Sequence, residues 1–171
     1  MKKQQKRFER PKKPFDSERI KEENKLKTKY GLKNKKEIWK SGAKVKYYRT
    51  RAKSLITAER ETQQKFFDKL NEIGLGVESV ADVLALTVED ILKRRLSTVV
   101  AGKGLADTAK QARQMITHKR ILVKGKVVNV PSYLVKVEEE DKINLKKKVK
   151  KPKLIAEMKE ESADKQEEKN E

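Results

Sequence analysis

Between Arg94 and Lys126 the chain sets nine basic side chains against one carboxylate, Asp107. The nine are Arg94, Arg95, Lys103, Lys110, Arg113, Lys119, Arg120, Lys124 and Lys126. Thr108, Gln111, Gln114 and His118 lie among them and add neutral hydrogen-bonding groups. Cations at this density suit phosphate, because each donates charge-assisted hydrogen bonds and releases counterions condensed on a polyanion. A second set, Arg7, Arg10, Lys46, Arg49 and Arg51, lies in the first third of the chain. Bond-making chemistry has little to work with. There is no cysteine, which removes disulfides, thiol nucleophiles and thiolate metal sites. His118 is the only histidine and stands in a basic stretch, so neither a Ser-His-Asp arrangement nor a multi-histidine metal site is available. Gly102-Lys103-Gly104 lacks the G-x-x-x-x-G-K-[ST] spacing of a phosphate loop and reads as a helix end. Glu138-Glu139-Glu140-Asp141 lacks a calcium-loop setting and reads as a solvated turn. No enzyme activity, metal, cofactor or small-molecule substrate is expected.

The elements that position these cations must come from a chain of 171 residues with little apolar content. Charged residues are 42% and apolar residues 35%, against the usual roughly 25% and 45–50%. A modest core with long solvated or partner-bound segments is expected. The net charge of +19 is segregated. Residues 1–56 carry 21 basic and 6 acidic side chains, and residues 93–137 carry 11 and 1. Residues 57–92 between them carry 3 and 8. Confining such charge costs self-repulsion that a polyanion relieves, and nucleic acid is the obvious one. An anionic membrane would want an apolar helix face beside the lysines, which the N-terminal stretch lacks. No apolar run approaches the ~18–20 residues that span a bilayer, and no secretory signal is visible, so a cytoplasmic protein is expected.

Periodicity lays out the frame. Residues 1–16, with Pro11 and Pro14 among lysines, read as an extended basic arm with no core of its own. A helix over roughly 18–30 ends at Gly31 in the left-handed region. Asn34 and Glu37 read as a capping box for the next helix, with Ile38, Trp39, Val45 and Tyr48 as its apolar side and Ser41-Gly42 as a weak middle. From Thr57 a helix carries Phe66, Phe67, Leu70 and Ile73 as a stripe, closed by Gly74 and Gly76. Val80, Val83 and Leu84 suggest a short helix, and Thr87 caps one that runs from Val88 through Val100. Thr108 and Gln111 cap a further helix that buries Ala109, Ala112, Met115 and Ile116 and leaves Lys110, Arg113 and Gln114 outside. Its first amides offer a phosphate site. The period then changes to two: Ile121-Leu122-Val123, a Lys124-Gly125 turn and Lys126-Val127-Val128 make a hairpin. Tyr133 to Val137 alternates again, and Ile143 and Leu145 suggest a last strand. Residues 146–171 read as a disordered charged tail. The fold class is α+β: a basic arm at 1–16, a helical region at 17–93, a two-helix plus hairpin module at 94–145, and the tail. From charge alone DNA and RNA both stay open. No helix has the base-reading pattern of a homeodomain or zinc finger, and the layout suits the shape and phosphate reading of structured RNA.

The stretch from Arg94 to Val137 resembles the RNA-binding module named after ribosomal protein S-four. The resemblance rests on Arg95-Leu96, Gly104-Leu105-Ala106, Thr108, Gln111-Ala112-Arg113-Gln114, the hairpin, Val128-Asn129 and Pro131-Ser132-Tyr133. Phe8-Glu9-Arg10-Pro11, Tyr30-Gly31-Leu32-Lys33-Asn34-Lys35 and Leu86-Thr87-Val88-Glu89-Asp90-Ile91-Leu92 are similar to the archaeal and eukaryotic branch of that ribosomal family. The resemblance implies a structural protein of the small (30S) subunit. It implies direct binding to the 5′ domain of 16S rRNA, nucleation of the subunit body and support of translational accuracy. It also implies a place beside ribosomal protein S-five near the mRNA entrance. Some relatives carry a four-cysteine zinc site near the N-terminus, which this chain cannot form. Two other classes share the module: RNA-modifying or synthetase-type enzymes, for whose catalytic domain this chain has no room, and free-standing RNA chaperones.

Overall fold

The computed structural model describes residues 8–146. Its fold is α+β, helices followed by a small antiparallel sheet. Arg7 and the tail expected beyond Lys146 lie outside the described residues.

Helix α1 (Ser17–Lys29) is capped by Asp16, whose carboxylate accepts from the Arg19 amide at 3.4 Å. Gly31, at φ 59°, turns the chain out of it. Helix α2 (Lys36–Ser54) runs unbroken through Ser41-Gly42. The Ser41 hydroxyl is buried and donates to the Glu37 carbonyl at 3.1 Å, so the weak middle costs no unmet polar group. The Asn34–Glu37 capping box does not form: Lys35 occupies the cap position without a side-chain bond, and the Glu37 carboxylate is drawn to two arginines. Helix α3 (Arg60–Glu72) starts later than the expected Thr57. The Gln63 amide folds back onto the Leu55 and Ala58 carbonyls at 2.9 and 3.0 Å and holds the preceding residues in a turn. Helices α4 (Val80–Ala85) and α5 (Val88–Lys93) follow. Asp90 accepts from the Thr87 amide and hydroxyl at 2.9 and 2.7 Å, a strong helix start.

The expected helix from Val88 through Val100 is broken at Arg94–Arg95. Arg95 is extended, with φ −74° and ψ 143°, and caps α6 (Leu96–Gly102). The break lets the returning chain pair there: Val135 donates to the Arg94 carbonyl at 3.0 Å and Leu96 to the Tyr133 carbonyl at 2.8 Å. Helix α7 (Ala109–Thr117) packs on α6. Strand β1 (Ile121–Val123) then pairs with β2 (Lys126–Val127) through Lys124 and Gly125, at φ 49° and 77°. Two successive positive φ values make the primed turn that matches strand twist, as the Lys-Gly pair suggested. Strand β3 (Ile143–Leu145) pairs with the other edge of β1, giving the order β2-β1-β3. The expected strand over Tyr133–Val137 is reduced to a single bridge between Arg95 and Leu134. The acidic run, expected as a solvated turn, is a one-turn helix, α8 (Val137–Glu140), with Glu139 buried.

The module core is Leu96, Val99, Val100, Ala106, Ala112, Ile116, Ile121, Val123, Val135 and Ile143. Each fully buried Leu or Ile in it is worth about 1.5–3 kcal/mol. A second core joins α2, α3, α4 and α5 through Val45, Ala52, Phe67, Leu70, Val83 and Ile91, and Leu134 of the module packs against it. A third, of Tyr30, Leu32, Ile38 and Leu92, fixes the α1–α2 corner. From Phe8 onward the arm makes contacts with the helices: the Phe8 ring lies 6.1 Å from that of Trp39, and the Lys13 and Pro14 carbonyls accept from Arg19.

Candidate nucleic-acid interface

The cations expected to meet phosphate divide into two groups. The first is consumed within the fold. Arg94 donates to the Ile73 carbonyl at 2.7 Å and the Val135 carbonyl at 3.2 Å, and pairs with Glu140 at 2.9 Å. Arg95, expected on the surface, is only 3% exposed and donates to Glu37 at 2.5 Å. Arg113, expected with a free guanidinium, binds the same carboxylate through both terminal nitrogens, at 2.8 and 3.0 Å. These corrections share a physical cause. Side chains off an apolar face still meet neighbouring elements: α2 brings Glu37 to Arg95 and Arg113, and α8 brings Glu140 to Arg94.

Glu37 is therefore the functional residue that a local reading misassigns. It is the sole acid between Glu23 and Glu59. That isolation in a basic run was a usable sign of a buried ion pair. Burial pushes its carboxyl up, but the hydrogen bonds from Arg113 and Arg95 and their charges outweigh it and hold the group below its ordinary value.

The second group remains outside. Lys110 on α7, His118 at its C-terminal cap, Lys119 and Arg120 before β1, and Lys126 on β2 are exposed. Among the described residues no carboxylate stands within ion-pair distance of these five. Gln114 is exposed beside them. Lys103 and Lys124 are intermediate cases. Lys103 donates to the Glu140 carbonyl and lies 3.5 Å from Asp141. Lys124 lies 3.4 Å from Glu139 and 3.7 Å from Glu138. Thr108 and Gln111 serve the helix: Thr108 Oγ1 accepts from the Gln111 amide at 3.2 Å, and Gln111 Oε1 from the Asp107 amide at 3.0 Å. The first amides of α7 are not the open phosphate site expected, because the Gly31 backbone lies over Ala109 and Lys110.

The N-terminal set lies along and beside α2. Lys46 pairs with Glu9 at 3.1 Å, Arg49 donates to the Leu86 carbonyl at 2.7 Å, and Arg10 and Arg51 are exposed. Among the described residues no group of three His, Cys, Asp or Glu side chains is placed to hold a metal ion. None of their helices is long and apolar enough to cross a membrane.

Two helices on a three-stranded sheet, with an outer cationic edge, make this an S4-domain protein: the family model described as the S4 domain matches residues 94–141. The similarity extends over most of the chain. It is 46% identical over 147 residues to small ribosomal subunit protein uS4 of Methanothermobacter thermautotrophicus, covering 82% of this chain and 86% of that one. With uS4 of Methanococcus aeolicus it shares 48% over 147 residues, covering 81% and 82%. With that of Nanoarchaeum equitans it shares 44% over 148 residues, covering 82% of each. The chain belongs to the small ribosomal subunit protein uS4 family, whose members are structural RNA-binding proteins of translation and not enzymes.

Proposed function

We propose that this protein binds 16S rRNA directly within the small subunit of the cytoplasmic ribosome. It meets the 5′ domain, nucleates assembly of the subunit body, lies beside ribosomal protein S-five near the mRNA entrance and supports accurate decoding. The observation that carries this reading is the charge of Lys110, Lys119, Arg120 and Lys126, which have no ion-pair partner among the described residues, on one module whose Arg94, Arg95 and Arg113 are each paired with a carboxylate. A fold that spends carboxylates on Arg94, Arg95 and Arg113 and, among the described residues, none on these four leaves them for a polyanion. Gln114 and His118 add hydrogen-bonding groups to that surface, with Lys103, Lys124, Thr108 and Gln111 at its margin. Residues 94–145 act as the RNA-reading module, and residues 17–93 hold it and extend the contact through Arg10, Lys46, Arg49 and Arg51. The names of the relatives support the subunit.

The test is binding of the full chain to a transcript of the 16S 5′ domain and to a random duplex at equal salt. Discrimination in favour of the transcript, abolished on replacing Lys110, Lys119, Arg120 and Lys126 by alanine, is expected. Equal affinity for any polyanion would leave only a generic basic protein.

A further inference from the structure

The acidic stretch 57–92 holds only three basic residues, Arg60, Lys65 and Lys69. Two of them stand one helical turn apart on α3 and line a cleft of about 530 Å³ against α2. Arg51 lines it from the α2 side, with Tyr47 and Tyr48, and Phe66 adds a third ring from α3. No carboxylate among the described residues lines the cleft. Lys65 has only a distant acid, Glu61 at 3.9 Å, and Arg51 and Lys69 have no ion-pair partner among the described residues. Tyr47 is 65% exposed, and its ring lies 5.8 Å from that of Tyr48 at a tilt of 59°.

Two features of this cleft are unfavourable in the free protein. Three cations gather with Glu61, 3.9 Å from Lys65, as their one counter-charge among the described residues, and a large ring faces water. One ligand chemistry relieves both: a flat aromatic group joined to phosphates. Bases stack on exposed rings whatever their sequence, while cations follow the backbone. The cavity falls within the about 300–1,000 Å³ usual for sites that enclose a small ligand. An acidic peptide would satisfy the charges but offers no face to Tyr47.

We propose that the α2–α3 cleft holds an unpaired stretch of RNA, with a base stacked on Tyr47 and the adjoining phosphates paired with Arg51, Lys65 and Lys69. This rests on the reading of the chain as an RNA-binding protein. It adds a second surface, separate from the α7–hairpin edge and selective for single strands. Stretches of a structured RNA that leave the helix are its natural occupants.

The experiment measures anisotropy of a fluorescent oligoadenylate with the full chain and three variants: Tyr47→Leu, Tyr47→Phe, and Lys65→Glu with Lys69→Glu. Tyr47→Leu is expected to weaken binding by about 5- to 100-fold. Tyr47→Phe keeps the ring and keeps the affinity. The double lysine variant weakens binding and flattens its salt dependence. Circular dichroism melting confirms that each variant is folded. Unchanged affinity of Tyr47→Leu overturns the proposal, and so does a polyglutamate peptide that binds as tightly as the oligoadenylate. Binding to the 16S 5′-domain transcript, measured on the same proteins, separates the two surfaces. Oligoadenylate binding that disappears only when Lys110, Lys119, Arg120 and Lys126 are replaced sinks this cleft and leaves the rRNA reading standing. Failure of the unaltered protein to prefer the transcript, with Tyr47-dependent oligoadenylate binding intact, sinks the rRNA reading alone.

Discussion

Arg113 and Glu37, separated by 76 positions in the chain, meet through two hydrogen bonds of 2.8 and 3.0 Å and tie α7 to the first turn of α2. Arg95 closes on the same carboxylate from beneath. The two cations around one anion make a joint between the helical region and the module, and they change what substitution of Arg113 should do.

Arg113→Ala is expected to lower stability by about 1–3 kcal/mol, as for loss of a hydrogen bond to a charged group. Glu37→Ala should cost more, about 3–5 kcal/mol, because it leaves Arg95 buried without its counter-charge. Urea denaturation followed by circular dichroism gives both values. If Arg113→Ala left the midpoint unchanged, the joint would contribute nothing.

The carboxylates make stability depend on acid. Glu37, Glu23 and Glu139 all titrate below their ordinary value in the folded chain. In each, burial acts upward and is outweighed by hydrogen bonds, from Arg113 and Arg95, from Trp39, Arg19 and Lys35, and from Tyr133 and the Lys136 amide respectively. A group depressed on folding stabilises fully above its unfolded value, near 4.5, and loses that contribution as pH falls through the folded value. Melting temperature should therefore fall steadily below about pH 4.5. Glu37→Gln should start less stable and show a shallower fall; a parallel curve would rule Glu37 out as a contributor.

Tyr133 acts at the opposite extreme. Its hydroxyl donates to Glu139 at 2.7 Å, and this bond, with burial and the Glu139 charge, pushes it up to about 12 from an ordinary 10. The raised value stabilises the fold fully below pH 10, and the contribution disappears as pH rises through the folded value. Ultraviolet titration should show a late tyrosinate step that is absent in Tyr133→Phe and earlier in Glu139→Gln. No difference between those variants and the parent would refute the assignment.

Gly31 and Gly76 share nearly the same backbone, at φ 59° and 60°, in different surroundings. A β carbon on Gly76 meets nothing within 4 Å, so Gly76→Ala should cost only the left-handed penalty, about 1–2 kcal/mol. On Gly31 it would stand 2.8 Å from backbone atoms of Ala109 and Lys110. Gly31→Ala must in addition push α7 away and should be clearly the worse of the two in thermal denaturation. Equal costs would mean that α7 yields freely.

For the outer surface, replacing Lys110, Lys119, Arg120 and Lys126 by alanine removes four cations that have no described acid beside them. Stability should hardly change. The slope of log affinity for the 16S transcript against log salt should flatten by about 3, at roughly 0.7–0.9 for each phosphate no longer neutralised. A lower melting temperature with an unchanged slope would make these residues structural.

The features that the sequence made legible are those set by neighbours within a few positions. The Thr87 cap, the Gly31 turn and the Lys124-Gly125 hairpin each depend on backbone torsions or on a partner close in the chain, and each stands where the local pattern puts it. The break at Arg94–Arg95 was not legible, because Ile91, Leu92, Leu96 and Val99 continue a helical pattern straight across it. What opens the helix there is the chain returning at Tyr133–Val135. Alternation over Tyr133–Val137 likewise suggested a strand where only one bridge forms. The site divided in the same way. Counting charges found the basic surface, but which cations stay free depended on Glu37, 58 and 76 residues from its partners.

The separation of Glu37 from Arg113 also sets a timetable during synthesis. The helices from α1 to α5 leave the ribosome first, with most of their apolar partners among themselves. Glu37, its partners not yet made, waits while 76 further residues are added, about 4–15 s at usual elongation rates. The central strand β1 is completed later still, because β3 on its other edge is the last element of the described residues. The nascent protein therefore passes through a stage with its front helices made and an unfinished basic module, and the joint at Glu37 can close only once α7 has been added.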